Sequence, residues 1–289
     1  MILVAGATGK VGGEVVEALK AIPGAPPFQA LVRRPEAAAE LEARGVRAVL
    51  ADLGDPARMA KALEGVERFF LVSAPDPRQV EIEGAAAEAA QAAGVRQIVK
   101  LSALGADAGA ECAFLRFNRA AEERVAASGV AAWTFLRPNG FFHNLLGYAD
   151  SIRTQGAFYA PAGEARISLV DTADIGAVAA RVLTDPIEAH AGQTYDITGP
   201  EALTHDDIAR ALSALLGRDV RYVAVDDAAA KQGMLAAGMP EWQAEAVVAL
   251  YRFYRTGAAA TVTDTVPALA GRPARTAAQF LEANRAVFS

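Results

Sequence analysis

The chain has 289 residues, 53% of them hydrophobic, which is ample material for one large core or two. A formal charge of -6 without basic runs argues against a dedicated nucleic-acid binder, and the single cysteine, Cys112, excludes an internal disulfide. No apolar run reaches the ~20 residues that a membrane-spanning helix needs, and histidines at 143, 190 and 205 beside one cysteine do not make a metal site by spacing. The expectations are therefore no metal, no membrane and no direct nucleic-acid partner, and, with no basic cleavable leader ahead of the first strand, a cytoplasmic location.

Ile2-Leu3-Val4-Ala5 reads as a buried strand. Glycines at 6, 9 and 12 break it, and Val11, Val15, Val16 and Leu19 then fall at helical spacing. In such a strand, turn and helix, the first glycine permits the sharp turn and the second lets backbone approach a pyrophosphate. The third lets the helix lie close on its strand, while free N–H groups and the helix dipole attract the anion. Gly6, Thr8, Gly9, Lys10, Val11 and Gly12 form the expected dinucleotide cradle.

A turn cluster, Pro23-Gly24-Ala25-Pro26-Pro27, leads to a second strand over Phe28–Val32 that ends at Arg33. An acidic residue there would accept hydrogen bonds from the ribose hydroxyls of NAD; a guanidinium fork suits a 2′-phosphate instead. NADP (NADPH) is thus the expected cofactor in preference to NAD, with a solvated surface arginine as the other reading of Arg33. The third strand, Val46–Ala51, delivers Asp52 and Leu53 beside the adenine, and Asp55-Pro56 reads as a helix N-cap with proline in the first turn. The fourth strand, Arg68–Val72, ends at the small residues Ser73, Ala74 and Pro75, where a nucleotide can pass close.

An alanine-rich helix over about 78–93 stops at Gly94, the fifth strand covers Gln97–Ser102, and a Gly- and Ala-rich loop leads to a helix from near Cys112 to Ser128. The sixth strand, Ala132–Arg137, is halted by Pro138. This alternation predicts an α/β fold: a Rossmann-like doubly wound parallel sheet with a smaller, mainly helical C-terminal substrate lobe. We expect the NAD(P)-binding domain over 1–137 and mostly substrate lobe over 138–289. In that second half, 141–155 is predicted helical, Val170–Asp174 opens a helix, 193–198 returns to the main sheet, and Thr204 with Asp207 forms a capping box for a helix to Leu216. A strand over 220–225 and helices around 226–237, 240–254 and 276–286 follow.

These residues resemble the NmrA-like group of atypical short-chain dehydrogenases/reductases. The likeness is carried by Gly6-Ala7-Thr8-Gly9-Lys10-Val11-Gly12, Leu31-Val32-Arg33, Arg137-Pro138-Asn139-Gly140-Phe141-Phe142-His143-Asn144, Val170-Asp171-Thr172-Ala173-Asp174-Ile175-Gly176, Thr263-Asp264-Thr265-Val266 and Gly271-Arg272. The resemblance spans nearly the whole chain and implies type 2 quinone oxidoreductases and triphenylmethane-dye reductases as relatives, or a nucleotide-binding redox sensor without chemistry. Where typical short-chain dehydrogenases keep a YxxxK pair, this chain has Phe114 and Asn118. A phenyl ring donates no proton and an amide does not depress a pKa as a cation does, so alcohol–ketone chemistry through that dyad is not expected.

Reduction of a flat, electron-poor acceptor such as a quinone or cationic dye needs less help from a positioned acid. The candidate catalytic residues are Asn118, Ser102 and His143, each with a bland counterpart: an exposed helix amide, a serine satisfying backbone, a merely hydrogen-bonded histidine. Pro138 is a further expected cofactor-binding residue. Phe141, Phe142, Leu145, Leu146 and Tyr148 read as core or as the lining of a slot for the acceptor, as do Phe253 and Tyr254. The expected partner is a small planar acceptor, with a homodimer as the assembly carried alongside it. Arg33→Ala should weaken NADP(H) binding by about 1–3 kcal/mol, as for a lost charge-assisted contact, and leave NAD(H) nearly unchanged. Calorimetric titration of both cofactors checks this, and equal loss for both refutes the placement of Arg33.

Overall fold

A computed structural model describes residues 1–107 and 109–289. Ala108, inside the expected Gly- and Ala-rich loop, lies outside the described residues. In chain order the first half runs β1 (Ile2–Val4), α1 (Lys10–Ala21), β2 (Phe28–Val32), α2 (Pro35–Ala43), β3 (Ala48–Leu50) and α3 (Pro56–Ala62). It continues with β4 (Arg68–Leu71), α4 (Gln79–Ala92), β5 (Gln97–Leu101), α5 (Ala113–Ala127) and β6 (Ala132–Pro138). The second half contributes α6 (Ala149–Gln155), β7 (Ala157–Ala160), α7 (Thr172–Thr184), β8 (Gln193–Ile197), α8 (His205–Leu216) and β9 (Arg221–Ala224). It closes with α9 (Asp227–Ala236), α10 (Glu241–Arg255), α11 (Thr265–Ala270), α12 (Ala277–Ala283) and α13 (Arg285–Phe288).

Seven strands pair in parallel in the order β3-β2-β1-β4-β5-β6-β8. Runs such as Ile2-Leu3-Val4 and Phe69-Phe70-Leu71 are apolar without alternation because helices cover both faces of the sheet. α1, α2, α7 and α11 pack on one face, and α3, α4 and α5 on the other. Strand order reverses between β1 and β4, and the crevice outside their carboxyl ends is where a doubly wound sheet takes a ligand.

Beyond Pro138 the chain shuttles between this sheet and a smaller lobe with its own core, built on Phe142, Phe158, Ile208, Tyr254 and Phe280. The return to the sheet is more extensive than expected: α7 and α11 join β8 there. The helix expected over 141–155 begins as a 3₁₀ stretch, Phe142–Tyr148, in which the Asn144 amide bonds the Phe141 carbonyl, before α6 takes over. Strand β7 and helix α11 were not anticipated, since β7 is four residues long and its partner β9 lies more than sixty residues later. The final expected helix is interrupted at Asn284. The Asp55 cap and the Thr204/Asp207 capping box form as read.

The contact that sets the angle of α1 is with α7. An added Cβ at Gly176 would lie 2.6 Å from Glu14 Cβ and 2.7 Å from its carbonyl carbon, so the two helices touch backbone to backbone there. Gly176→Ala forces α7 away from α1 and should cost about 1–3 kcal/mol by overpacking. Chemical denaturation measures it, and a neutral result would mean that the helices separate freely.

Candidate active site at the carboxyl edge of the sheet

The turn after β1 is shaped by two positions that exclude a side chain. Gly6 is left-handed, at φ +63, and a Cβ there would sit 2.6 Å from Val72 Cγ1. A Cβ at Gly12 would overlap the Gly6 carbonyl and lie 2.8 Å from Ala5 O, so the first turn of α1 presses directly on the end of β1. The Gly9 amide closes the turn by donating to Gly6 O at 2.7 Å. No side chain caps α1, and its first turn holds no acidic residue. Free N–H groups, a positive dipole end and a glycine-lined approach fit a diphosphate, and a side chain at Gly12 would push the helix start off the end of β1.

Around this turn the other expected binding residues follow from strand order. Arg33 follows the end of β2 and is exposed, and among the described residues it makes no ion pair. Asp52 follows β3, its Oδ1 accepting from the Gly54 amide at 2.9 Å, beside half-buried Leu53. Ala74 and Pro75 are exposed after β4. Ser73 turns inward: its Oγ donates to Glu83 Oε1 at 2.7 Å. Pro138 is the last residue of β6 and is buried.

Two buried charge networks underlie the ends of β4, β5 and β6, and the sequence reading found neither. In the first, Lys100 Nζ pairs with Glu83 Oε2 at 3.1 Å, with both side chains at most 1% exposed. Lys100 also donates to Asn118 Oδ1 at 2.8 Å and to Leu101 O at 2.9 Å. Gln79 Nε2 reaches both Asn118 Oδ1 and Glu83 Oε1, each at 3.3 Å, and Asn118 Nδ2 donates to Phe114 O at 2.9 Å. Asn118 is therefore not the exposed helix amide that its bland reading described.

In the second network, Glu122, fully buried on α5, accepts from Ser102 Oγ at 2.6 Å and from Arg137 Nε and Nη2 at 2.8 and 2.6 Å. Ser102 spends its only hydroxyl proton on Glu122, which leaves it no proton to give a ligand. The signals for these residues were a lysine inside an apolar strand and glutamates in phase with buried helix positions, at 83 with Ala86, Ala87 and Ala90, and at 122 with Leu115 and Val125. Such charges need buried partners, and only the fold names them.

His143 is half-buried where the 3₁₀ stretch passes over α1, and neighbouring Asn144 Oδ1 accepts from Lys10 Nζ at 3.4 Å. Burial lowers the His143 pKa, Lys10 lowers it further, and Asp171 opposes both. Phe142, Leu145 and Tyr254 belong to the smaller lobe's core, and Phe141 packs on the main core. Half-buried aromatics instead gather where α5 meets α10: Phe114 stands edge-on to Trp242 at 5.9 Å, with Phe117 tilted at 6.5 Å from the same ring. Cys112 is buried, its Sγ 3.3 Å from Ala246 O, as befits a filler. Among the described residues, no group of His, Cys, Asp and Glu has the geometry of a metal site, and no helix is long and apolar enough to cross a membrane.

The fold and the cradle define a Rossmann-like dinucleotide-binding protein. The model of the NmrA-like family matches residues 1–272, and the chain belongs to that family. It is 44% identical to an NAD(P)H azoreductase from Xenophilus azovorans over 288 residues, covering 100% of this chain and 99% of that one. It superimposes on the NADPH complex of Escherichia coli quinone oxidoreductase QOR2 with a TM-score of 0.89 at 30% identity, covering 98% and 99% of the two chains. A Citrobacter triphenylmethane reductase complexed with NADP(H) gives 0.86 at 28% identity over 98% and 100%.

The environment of His143 gives a direct check of the site's electrostatics. Its folded pKa lies below 6.5, so the ring is neutral at pH 7, and the neutral form's contribution to stability is lost as pH falls through and below 6.5. Lys10→Met should move the His143 titration upward, as followed by NMR of the ring. An unchanged midpoint would show that Lys10 does not act on His143.

Proposed function

We propose that this chain is an NAD(P)H-dependent reductase, preferring NADPH, that passes hydride to a flat electron-poor acceptor: a quinone, or an azo or triphenylmethane dye. The observation that carries the reading is the uncapped, glycine-lined start of α1 at the point where the sheet order reverses. Gly6, Thr8, Gly9, Lys10, Val11 and Gly12 hold the diphosphate, and Arg33 the 2′-phosphate. Asp52 and Leu53 lie beside the adenine, and Ser73, Ala74, Pro75 and Pro138 line the nicotinamide half. NADPH, when bound, supplies a hydride.

The choice of acceptor follows from the side chains at the edge. Phe114 and Asn118 stand at the YxxxK spacing, the Ser102 hydroxyl donates its hydrogen bond to Glu122, and burial lowers the His143 pKa, favouring the neutral ring. A site with no positioned acid at that spacing suits an acceptor whose conjugated system spreads the incoming charge before a proton arrives from solvent. The azoreductase, quinone oxidoreductase and triphenylmethane reductase named above are, by name, enzymes of such acceptors. Asn118 serves as a hydrogen-bond donor, and His143 as a neutral ring over the start of α1.

The purified protein should oxidise NADPH in the presence of menadione or a triphenylmethane dye well above the uncatalysed rate, as followed by loss of NADPH absorbance. Calorimetry run alongside should show tighter binding of NADP(H) than of NAD(H). Redox-selective binding without turnover of any quinone, azo or triphenylmethane acceptor would overturn the reductase reading in favour of a sensor of the NADP(H) pool.

A further inference from the structure

We infer that Lys100, held by Glu83, is a positioning residue that fixes the Asn118 amide with its nitrogen free to donate to the acceptor. The inference rests on the reductase reading and goes beyond it by assigning a task to a lysine buried inside the sheet.

An asparagine amide fits its site in two orientations, related by a flip that exchanges donor and acceptor. Here the surroundings permit one. A carboxylate only accepts, so Glu83 Oε1 draws donors, Ser73 Oγ at 2.7 Å and Gln79 Nε2 at 3.3 Å, while the Lys100 ammonium lies 3.1 Å from Oε2 as its ion-pair partner. With Gln79 held by its nitrogen, both Gln79 Nε2 and Lys100 Nζ face Asn118, at 3.3 and 2.8 Å. An ammonium has no acceptor, so only Oδ1 of Asn118 can meet it. On the other side, Asn118 Nδ2 gives one hydrogen to Phe114 O at 2.9 Å, and a flipped amide would set oxygen against that carbonyl. Among the described residues the second Nδ2 hydrogen has no partner. It is the group that the network leaves over, on a half-buried side chain above the end of β5.

The arrangement makes chemical sense of the change from the YxxxK pattern. A cation at 118 would reach the site from the helix; here the cation rises from β5, stays fully buried, and acts through an amide. When hydride reaches a quinone or azo acceptor, negative charge develops on its oxygen or nitrogen, and a fixed N–H directed at that atom is stabilising without reorganisation. The proton that completes the reduced acceptor comes from solvent, and neither Lys100 nor Asn118 changes its protonation state.

Glu83 and Lys100 must be neutralised together, because removing one leaves the other charged and buried. The test compares wild-type protein, E83Q/K100M, N118L and the triple variant, all full-length, by thermal melting, NADP+ calorimetry and steady-state turnover of NADPH with menadione. N118L should lower kcat roughly 100-fold, as loss of a preorganised donor does. E83Q/K100M should lower kcat by roughly tenfold or more through amide flipping, with KM for menadione and Kd for NADP+ each unchanged within about threefold. The triple variant should be no slower than N118L, since groups acting as one unit are not additive.

Unchanged kcat in E83Q/K100M, or losses that multiply in the triple variant, would overturn the inference. The orientation also has a readout in the unmodified protein: the two Asn118 amide protons, assigned by their absence in N118L, should exchange with solvent at different rates. Equal, rapid exchange of the pair overturns the locked amide even if E83Q/K100M fails to fold. Absence of turnover by wild-type protein with every acceptor overturns the reductase reading and the role toward an acceptor, while the proton pair still decides the orientation.

Discussion

Everything at the carboxyl edge is measured from one close approach: the first turn of α1 against the end of β1. Gly12 places helix backbone where a Cβ would overlap the Gly6 carbonyl, and Gly6 can turn the chain only because φ +63 is open to it. On its outer side α1 meets α7 at Gly176, again without a side chain between. The helix is thus pinned from both sides, and its free N–H groups point at a fixed place rather than sweeping an arc. α7 is encoded in the second half of the chain yet packs on the main sheet beside α1, so a segment far along the sequence fixes the helix that begins at the glycine turn.

A second constraint is electrostatic. Glu83, Lys100 and Glu122 are within 1% of complete burial, beneath the strand ends that a ligand would approach. Replacing such groups by apolar ones is often neutral or favourable for stability, whereas leaving one unpaired costs about 3–5 kcal/mol. Their value is therefore directional. Glu122 receives a bidentate guanidinium from Arg137 and a hydroxyl from Ser102, tying α5 to the ends of β5 and β6. Glu83 ties α4 to the end of β4 through Ser73 and to β5 through Lys100. Loops at this edge are anchored by charges whose geometry admits little slack.

These networks explain which chemistry the edge supports. General acid catalysis contributes typically 10²–10⁴-fold, and Phe114 and Asn118 bring no acidic side chain to this edge. Holding two reactants in an attack geometry is worth about 7–11 kcal/mol at best, so a scaffold that only positions a reductant against a willing acceptor keeps the larger share. Half-buried Phe114, Phe117 and Trp242 at the junction of α5 and α10 offer apolar, aromatic surface of the kind that flat molecules favour.

The sequence by itself determined the sheet, the cradle and the family. Gly6, Gly9 and Gly12 in one short span, apolar strands at regular intervals, and capping residues such as Asp55 and Thr204 act over a few residues, so their meaning is local and legible. Of its two readings of Phe141, Phe142, Leu145, Leu146 and Tyr148, core or slot, the structure supports core; it missed β7, α11 and the return of α7, whose partners lie far away in the chain. Lys100, Glu83 and Glu122 stood in plain view as charges in apolar settings, yet a buried charge is defined by what it faces. Only the tertiary structure, by bringing β4, β5, α4 and α5 to one edge, decided that Ser102 turns its hydrogen bond inward and that Asn118 is gripped by a lysine eighteen residues away.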